Sequence, residues 1–220
     1  MEIKPYGESA LIIQFENEVS LKIHQQVKSW YKHLLSINIK GVLSIIPAYT
    51  SITILFDSKH QQFSSLKELL VSLDIPTIHH SKSKIVEIPV CYDEQLGIDI
   101  NEVSQSLGLS IKEIIQYHTS TTYTVYMLGF SPGFMYLGGL APQLFIPRKK
   151  VPRLKIPAGA VGLADKQTGI YPQATPGGWQ IIGQTPISIF SVNKSPLIQM
   201  GDQVKFKPID LSTYQQLKSE

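Results

Sequence analysis

Proline and glycine crowd one stretch of this chain, Gly129 to Pro186, and that crowding constrains the fold more than any other feature of the sequence. The stretch holds 10 of the 15 glycines and 8 of the 14 prolines. Glycine reaches backbone shapes closed to other residues, and proline fixes φ. Such a density of both predicts long, shaped, rigid loops, the places where binding groups usually sit. The same stretch carries both arginines, and six basic residues against a single acid, Asp165. The rest of the chain reads as a scaffold of strands and helices.

The basic character is local. Up to Leu128 there are 13 acidic and 10 basic residues, whereas the whole 220-residue chain carries a net charge of +3. A nucleic-acid face needs a wider basic surface interleaved with aromatics, so that class is disfavoured. Hydrophobic content of 43% and charged content of 17% are globular values. Cys91 is the only cysteine, which excludes an intrachain disulfide and a multi-cysteine zinc site. The N-terminus has an early acid and no long apolar core, unlike a signal peptide, and no apolar run is long enough to span a membrane. A soluble, cytoplasmic protein is the expectation.

Two domains are expected, 1–80 and 84–220. The first alternates strand-like and helix-like segments: Glu2–Tyr6, Ala10–Phe15, a helix entered at Ser20, Gly41–Pro47, Ser51–Phe56, and a helical stripe from Phe63 to Leu73. That order predicts an α+β sandwich of roughly ferredoxin-like type. His79 and His80 fall in the polar linker, where adjacent side chains point apart along an extended chain, so they read as solvated rather than metal-binding. Beyond it, Lys84–Val90, helices at Asp99–Leu107 and Ser110–His118, and Tyr123–Leu128 lead into the Gly/Pro stretch. Ile187–Val192 and Gln203–Phe206 follow as short strands, and the second half reads as a β-barrel.

Within the stretch, Pro142, Pro147, Pro152 and Pro157 recur every five residues, and Arg148 and Arg153 each follow one of them. Arginine presents a planar fork suited to carboxylate or phosphate, so anion binding stands beside the plainer reading of a solvated basic loop. Two turns share a hydroxyl-Pro-Gly core: Ser131-Pro132-Gly133-Phe134 and Thr175-Pro176-Gly177-Gly178-Trp179. Their backbone N–H groups can face an anion while Phe134 or Trp179 walls a pocket, or they simply close barrel loops over core aromatics. Gly129-Phe130-Ser131-Pro132-Gly133 also spells G-x-S-x-G. A nucleophile elbow needs the N–H of the residue after the serine, which Pro132 lacks, and every histidine precedes Ser131.

Gln167, Thr168 and Tyr171 offer an amide, a hydroxyl and a phenol for orienting a polar ligand, or a turn with a satisfied buried Tyr. The chain has no phosphate-cradling P-loop and no dinucleotide fingerprint. Paired-carboxylate catalysis would need an acid from outside the stretch. His118 is the histidine best placed to act as a base, with a capping or packing role as the alternative. A site rich in binding groups and poor in catalytic ones fits half of a shared active site.

At GFSPGFMYLGGL, PRLKIPAGAVGLADKQTGIYPQATPGGW and IIGQTP the sequence resembles the allophanate hydrolase subunit 1 family, and the resemblance covers essentially the whole chain. That family includes the B component of bacterial ATP-dependent 5-oxoprolinase and the inhibitor of a sporulation histidine kinase. The resemblance implies a small N-terminal α/β domain and a cyclophilin-like barrel. It also implies ring opening of 5-oxo-L-proline to L-glutamate coupled to ATP hydrolysis, in complex with the homologous C component and a third 5-oxoprolinase subunit. No metal ligand set is implied, and the ATP site would lie on or be shared with a partner subunit. Arg148 and Arg153 would meet the substrate carboxylate or a phosphate. Gln167, Thr168, Tyr171, Thr175, Gly177, Gly178, Trp179 and Phe134 would line the same pocket. A kinase-inhibiting module, or half of a urea/allophanate-type enzyme using biotin from another chain, are the alternatives. Where the family pattern reads PAGSVGIAG and GRTP, this chain has Ala160, Asp165 and Gln184. Loss of that arginine bears on anion binding or on contact with a partner.

Overall fold

The computed structural model describes residues 1–75, 84–191 and 197–219. The expected linker around His79 and His80 lies outside the described residues. The chain divides into two compact units, Met1–Lys82 and Ser83–Glu220.

The first unit runs β1 (Glu2–Pro5), β2 (Ala10–Gln14), α1 (Leu21–Ser36), β3 (Val42–Pro47), β4 (Ser51–Phe56), α2 (Phe63–Ser72). Its strands form one antiparallel sheet in the order β1-β2-β4-β3. Strand β4 therefore lies between β2 and β3, which α1 connects as a split crossover. Helix α1 starts where expected: the Ser20 hydroxyl accepts the Ile23 N–H at 3.4 Å. Ile23, Val27, Trp30 and Leu34 recur at helical spacing and are buried, as are Leu66 and Leu70 of α2 and the alternating Leu11, Ile13, Ile52, Ile54 and Phe56 of the sheet.

The second unit runs β5 (Ile85–Cys91), α3 (Ile100–Leu107), α4 (Ile111–Ser120), β6 (Thr122–Leu128), β7 (Met135–Gly138), a 3₁₀ turn at Pro142–Leu144, β8 (Arg153–Ile156), β9 (Ala160–Ala164), β10 (Gln167–Ile170), β11 (Thr175–Gly177), β12 (Gln180–Gln184), β13 (Gln203–Ile209) and α5 (Leu211–Ser219). Seven strands close a barrel in the order β10-β7-β6-β13-β5-β12-β9, and β8 pairs with β11 in a separate ribbon. The molecule is thus a mixed α+β protein with a closed seven-stranded barrel. Helix α4 begins with a full capping box, Ser110 and Glu113 each bonding the other's backbone.

Alternate residues of β9 separate two cores. Val161 and Leu163 join Ile88, Val90, Val125, Leu137 and Val204 in the larger one. Ala160 and Ala164 belong to a second cluster with Phe134, Ile156, Tyr171, Trp179 and Ile181. This second core sits where the outer side of the barrel wall meets the ribbon, since Ile156 comes from β8.

Three expectations change. The Gly/Pro stretch is not loop alone but supplies six short strands, β7 to β12. Its glycines serve close approach as well as turns: a Cβ on Gly169 of β10 would lie 2.7 Å from the Met135 carbonyl oxygen. Residues 187–191 of the expected strand Ile187–Val192 form no strand, and Val192 lies outside the described residues. There the Ile187 N–H turns to Thr185 Oγ1 at 3.4 Å and the Ser188 hydroxyl donates to the Phe190 carbonyl at 3.1 Å, local bonds that compete with a ladder. Helix α5 was not anticipated, although Asp210 marks its start by accepting the Thr213 N–H at 2.7 Å.

Candidate functional site

The segment after Pro147 is pinned at both ends. The Gln180 side-chain amide donates to the Pro147 carbonyl at 3.1 Å, and the Lys149 backbone N–H donates to the Gly178 carbonyl at 2.7 Å. Lys149 Nζ then reaches Asp99 at 2.9 Å and Glu102 at 2.6 Å. Burial pushes the Lys149 ammonium down, but the bonds from these two carboxylates outweigh it and hold its pKa above the ordinary lysine value. Arg153 sets its fork against the same Asp99, with Nη1 2.8 Å from Oδ2 and Nη2 on Oδ1. One of the two arginines expected to bind an anion is therefore committed to an internal carboxylate. Arg153 meets an acid as its chemistry predicts, but the acid is the protein's own.

Arg148 differs. Its Nε lies 3.4 Å from Asp165 Oδ2, and the two side chains are 58% and 60% exposed. Asp165 stands in the two-residue turn between β9 and β10 at φ +54°, a left-handed position that aspartate tolerates and glycine prefers. The departure from the family pattern thus supplies the partner of Arg148. The other departure, Gln184, is buried in β12 and donates to the Ala158 carbonyl, so it ties the barrel wall together.

Beneath Arg148 lies an aromatic cluster. The Phe134 ring centroid is 4.8 Å from Tyr136, 5.0 Å from Tyr171 and 5.3 Å from Trp179, all edge to face. Burial pushes the Tyr171 phenol up to about 12, while the Trp179 backbone N–H and the Arg148 charge pull against it. Burial also raises Tyr136, and Arg148 again opposes it. Phe134, Tyr171 and Trp179 are buried, so they form the floor of the site rather than its open walls. Gln167, Thr175, Gly177 and Gly178 are half-buried.

The turn that delivers Phe134 is strained. Phe130 has φ +69° yet is 64% exposed, and its ring packs against Phe134 at 5.6 Å. A bulky residue in that region costs of order 1–3 kcal/mol and occurs where structure or function demands it. Among the described residues, the neighbouring Ser131 hydroxyl is buried without a hydrogen-bond partner, as is Gln180 Oε1. Pro132 already excludes Ser131 as an elbow nucleophile, and nothing in the sequence singles out Phe130 or Gln180.

His118 and Thr168 sit together but away from solvent. Thr168 Oγ1 donates to the Gly162 carbonyl at 3.0 Å, so its lone pair accepts from His118 Nε2 at 2.9 Å. Nδ1 then accepts the Tyr92 hydroxyl at 2.7 Å. The ring stacks on Phe206 at 4.5 Å and is fully buried, which pushes its pKa down to about 3. Both nitrogens of His118 are thus engaged inside the barrel. Asp99, which organises the cationic segment, was anticipated only as a helix start. Among the described residues no group of three or more His, Cys, Asp or Glu side chains could hold a metal ion, and no helix is long and apolar enough to cross a membrane.

The chain is 40% identical to the B component of the 5-oxoprolinase of Bacillus subtilis (strain 168) over 233 residues, covering 100% of this chain and 97% of that protein. It is 37% identical over 205 residues to the same component from Escherichia coli O157:H7, covering 92% and 93%. The solved structure of TTHA0988 superposes with a TM-score of 0.82 at 34% identity, covering 91% of this chain; this chain spans 40% of that longer one. The model of the family described as carboxyltransferase domain, subdomain C and D, matches residues 1–200. With that match and relatives of this identity along nearly their whole length, the chain belongs to the carboxyltransferase subdomain C and D family.

Proposed function

We propose that this chain is the B component of an ATP-dependent 5-oxoprolinase, opening 5-oxo-L-proline to L-glutamate in complex with the homologous C component and a third subunit. The lactam amide is a poor electrophile. Transfer of the ATP γ-phosphoryl group to its oxygen, releasing ADP, withdraws electrons from the ring carbon. Water adds there, and the C–N bond breaks with the hydroxyl proton passing to the amine. A second water hydrolyses the resulting acyl phosphate to glutamate and phosphate. What this chain contributes is binding. The observation that carries the reading is that Arg148 alone of the three cations Arg148, Lys149 and Arg153 keeps an exposed head not committed to buried Asp99. Its fork suits the substrate carboxylate or a phosphate. Gln167, Thr175, Gly177 and Gly178 border the same surface, and Phe134, Tyr171 and Trp179 support it from behind, while Thr168 turns into the barrel toward His118. Arg153 acts in this reading as a brace, and the ATP site lies on or is shared with a partner subunit.

The finer architecture belongs to the same reading. The order β1-β2-β4-β3 with two helices is the ferredoxin-like arrangement with its last strand moved to the front, and the closed barrel is read as cyclophilin-like. The two domains are taken as 1–80 and 84–220, in a cytoplasmic protein. Neither the kinase-inhibitor reading nor the urea-type one has an observation of its own here. The test mixes this chain with its two partners and measures ATP-dependent glutamate formation from 5-oxoproline. Turnover that requires all three chains is expected; none in the complete mixture would end the proposal.

A further inference from the structure

We infer that Asp99 is a positioning residue, which sets Arg148 over the aromatic floor by anchoring the segment that follows it and the strand just beyond Trp179. The inference rests on the reading of Arg148 as the anion-contacting residue.

Asp99 occupies the N-cap of α3, yet its side chain makes no capping bond to its own helix. An aspartate there ordinarily caps. Instead its carboxylate, with no solvent exposure, takes four donors from elsewhere: Lys149 Nζ, Arg153 Nη1 and Nη2, and the Ile181 backbone N–H at 2.7 Å. Its own N–H donates back to the Ile181 carbonyl at 2.8 Å. The approach is close enough that a Cβ on Gly97 would lie 2.4 Å from the Ile182 carbonyl oxygen. A buried ion cluster of this kind is a weak source of stability, and its best-attested use is to select one geometry.

The geometry selected is local to the site. Lys149 directly follows Arg148, and Ile181 stands two residues beyond Trp179. The Lys149 N–H to Gly178 bond closes the same frame. Among the described residues, the ion pair of Arg148 is the long contact to exposed Asp165, with its charge also felt by Tyr136 and Tyr171. Its position therefore depends on where Asp99 holds Lys149 and Arg153.

The experiment is a double-mutant cycle between Asp99→Asn and Arg148→Ala, read first in the free full-length chain. Arg148 lowers the Tyr136 phenol through its charge, so Arg148→Ala raises the Tyr136 titration midpoint followed by ¹³Cζ NMR. Asp99→Asn is expected to raise it in the same direction, with Arg148→Ala adding nothing on that background. In the assembled complex the same pair is expected to raise KM for 5-oxoproline about tenfold, singly or together. Lys149→Met cuts one anchor from the outer side and gives a second reading should Asp99→Asn fail to fold. An unmoved Tyr136 midpoint in Asp99→Asn and Lys149→Met would overturn the inference, as would KM effects that multiply with Arg148→Ala. A complex that turns over no 5-oxoproline while the Tyr136 cycle behaves as stated would remove the functional reading and leave the positioning role supported.

Discussion

Arg153 lays both terminal nitrogens of its guanidinium on the carboxylate of Asp99, a side chain with no exposure to solvent. Removing one partner of a buried pair leaves a charge that water cannot reach, which costs far more than the pair gains. Arg153 is 28% exposed and Lys149 also touches Asp99, which moderates the loss. Arg153→Ala is expected to destabilise the chain by about 2–3 kcal/mol in chemical denaturation. Lysine at 153 should recover only part of this, because it cannot make the two-pronged contact. An unchanged unfolding midpoint in Arg153→Ala would contradict this account of the network.

Arg148 should behave in the opposite way. Its pair with Asp165 is exposed on both sides, and such pairs are worth about 0–1 kcal/mol. Arg148→Ala should leave stability within about 1 kcal/mol of the native chain while lowering turnover of the complete complex about tenfold or more. Comparing unfolding midpoints with steady-state kinetics separates the two effects, and a variant with native kinetics would withdraw the anion-binding role.

Thr168 joins His118 to the Gly162 carbonyl inside the barrel. Thr168→Val keeps the shape but leaves His118 Nε2 without its acceptor. The expected cost is about 1–3 kcal/mol, and Thr168→Ser should restore most of it. Urea denaturation of the two variants makes the comparison.

Two histidines should make the fold acid-sensitive. Burial holds His118 at about 3, and burial with the nearby Lys28 charge holds His24 at about 4, both from 6.5. Below 6.5 the unfolded chain takes up protons that the folded one refuses. The stability present above that pH is therefore lost as pH falls toward the folded values. Each histidine adds about 1.4 kcal/mol per pH unit to that loss. Urea midpoints measured down the acid limb should fall more gently in His24→Gln. Parallel curves for that variant and the native chain would rule His24 out as a contributor.

Phe130 stands at φ +69° with most of its ring in solvent. Phe130→Gly relieves the strain and is expected to raise stability by about 1 kcal/mol. The same change should weaken assembly or turnover if the exposed ring serves contact. A destabilised glycine variant in thermal melts would show instead that the Phe130–Phe134 packing outweighs the strain.

Much of the fold was legible because its signals are local. Ser20 and the stripe of Ile23, Val27, Trp30 and Leu34 announced α1, and Ser110 with Glu113 announced α4. The composition of Gly129–Pro186 located the region of interest and both of its arginines, without distinguishing them. It misjudged the form of that region, because Gly169 reads like a loop residue although its place in β10 is dictated by a carbonyl on β7.

Periodicity and capping reach only a few residues along the chain, so they could settle elements and not partners. That Arg153 would meet an internal acid 54 residues earlier, and that the same acid would hold an amide 82 residues beyond it, depends on how the barrel closes. The likeness between Arg148 and Arg153, each behind a proline, was complete in the sequence. Burial of one carboxylate beside only one of them made them different: it committed Arg153 to an internal charge and left Arg148 at the surface.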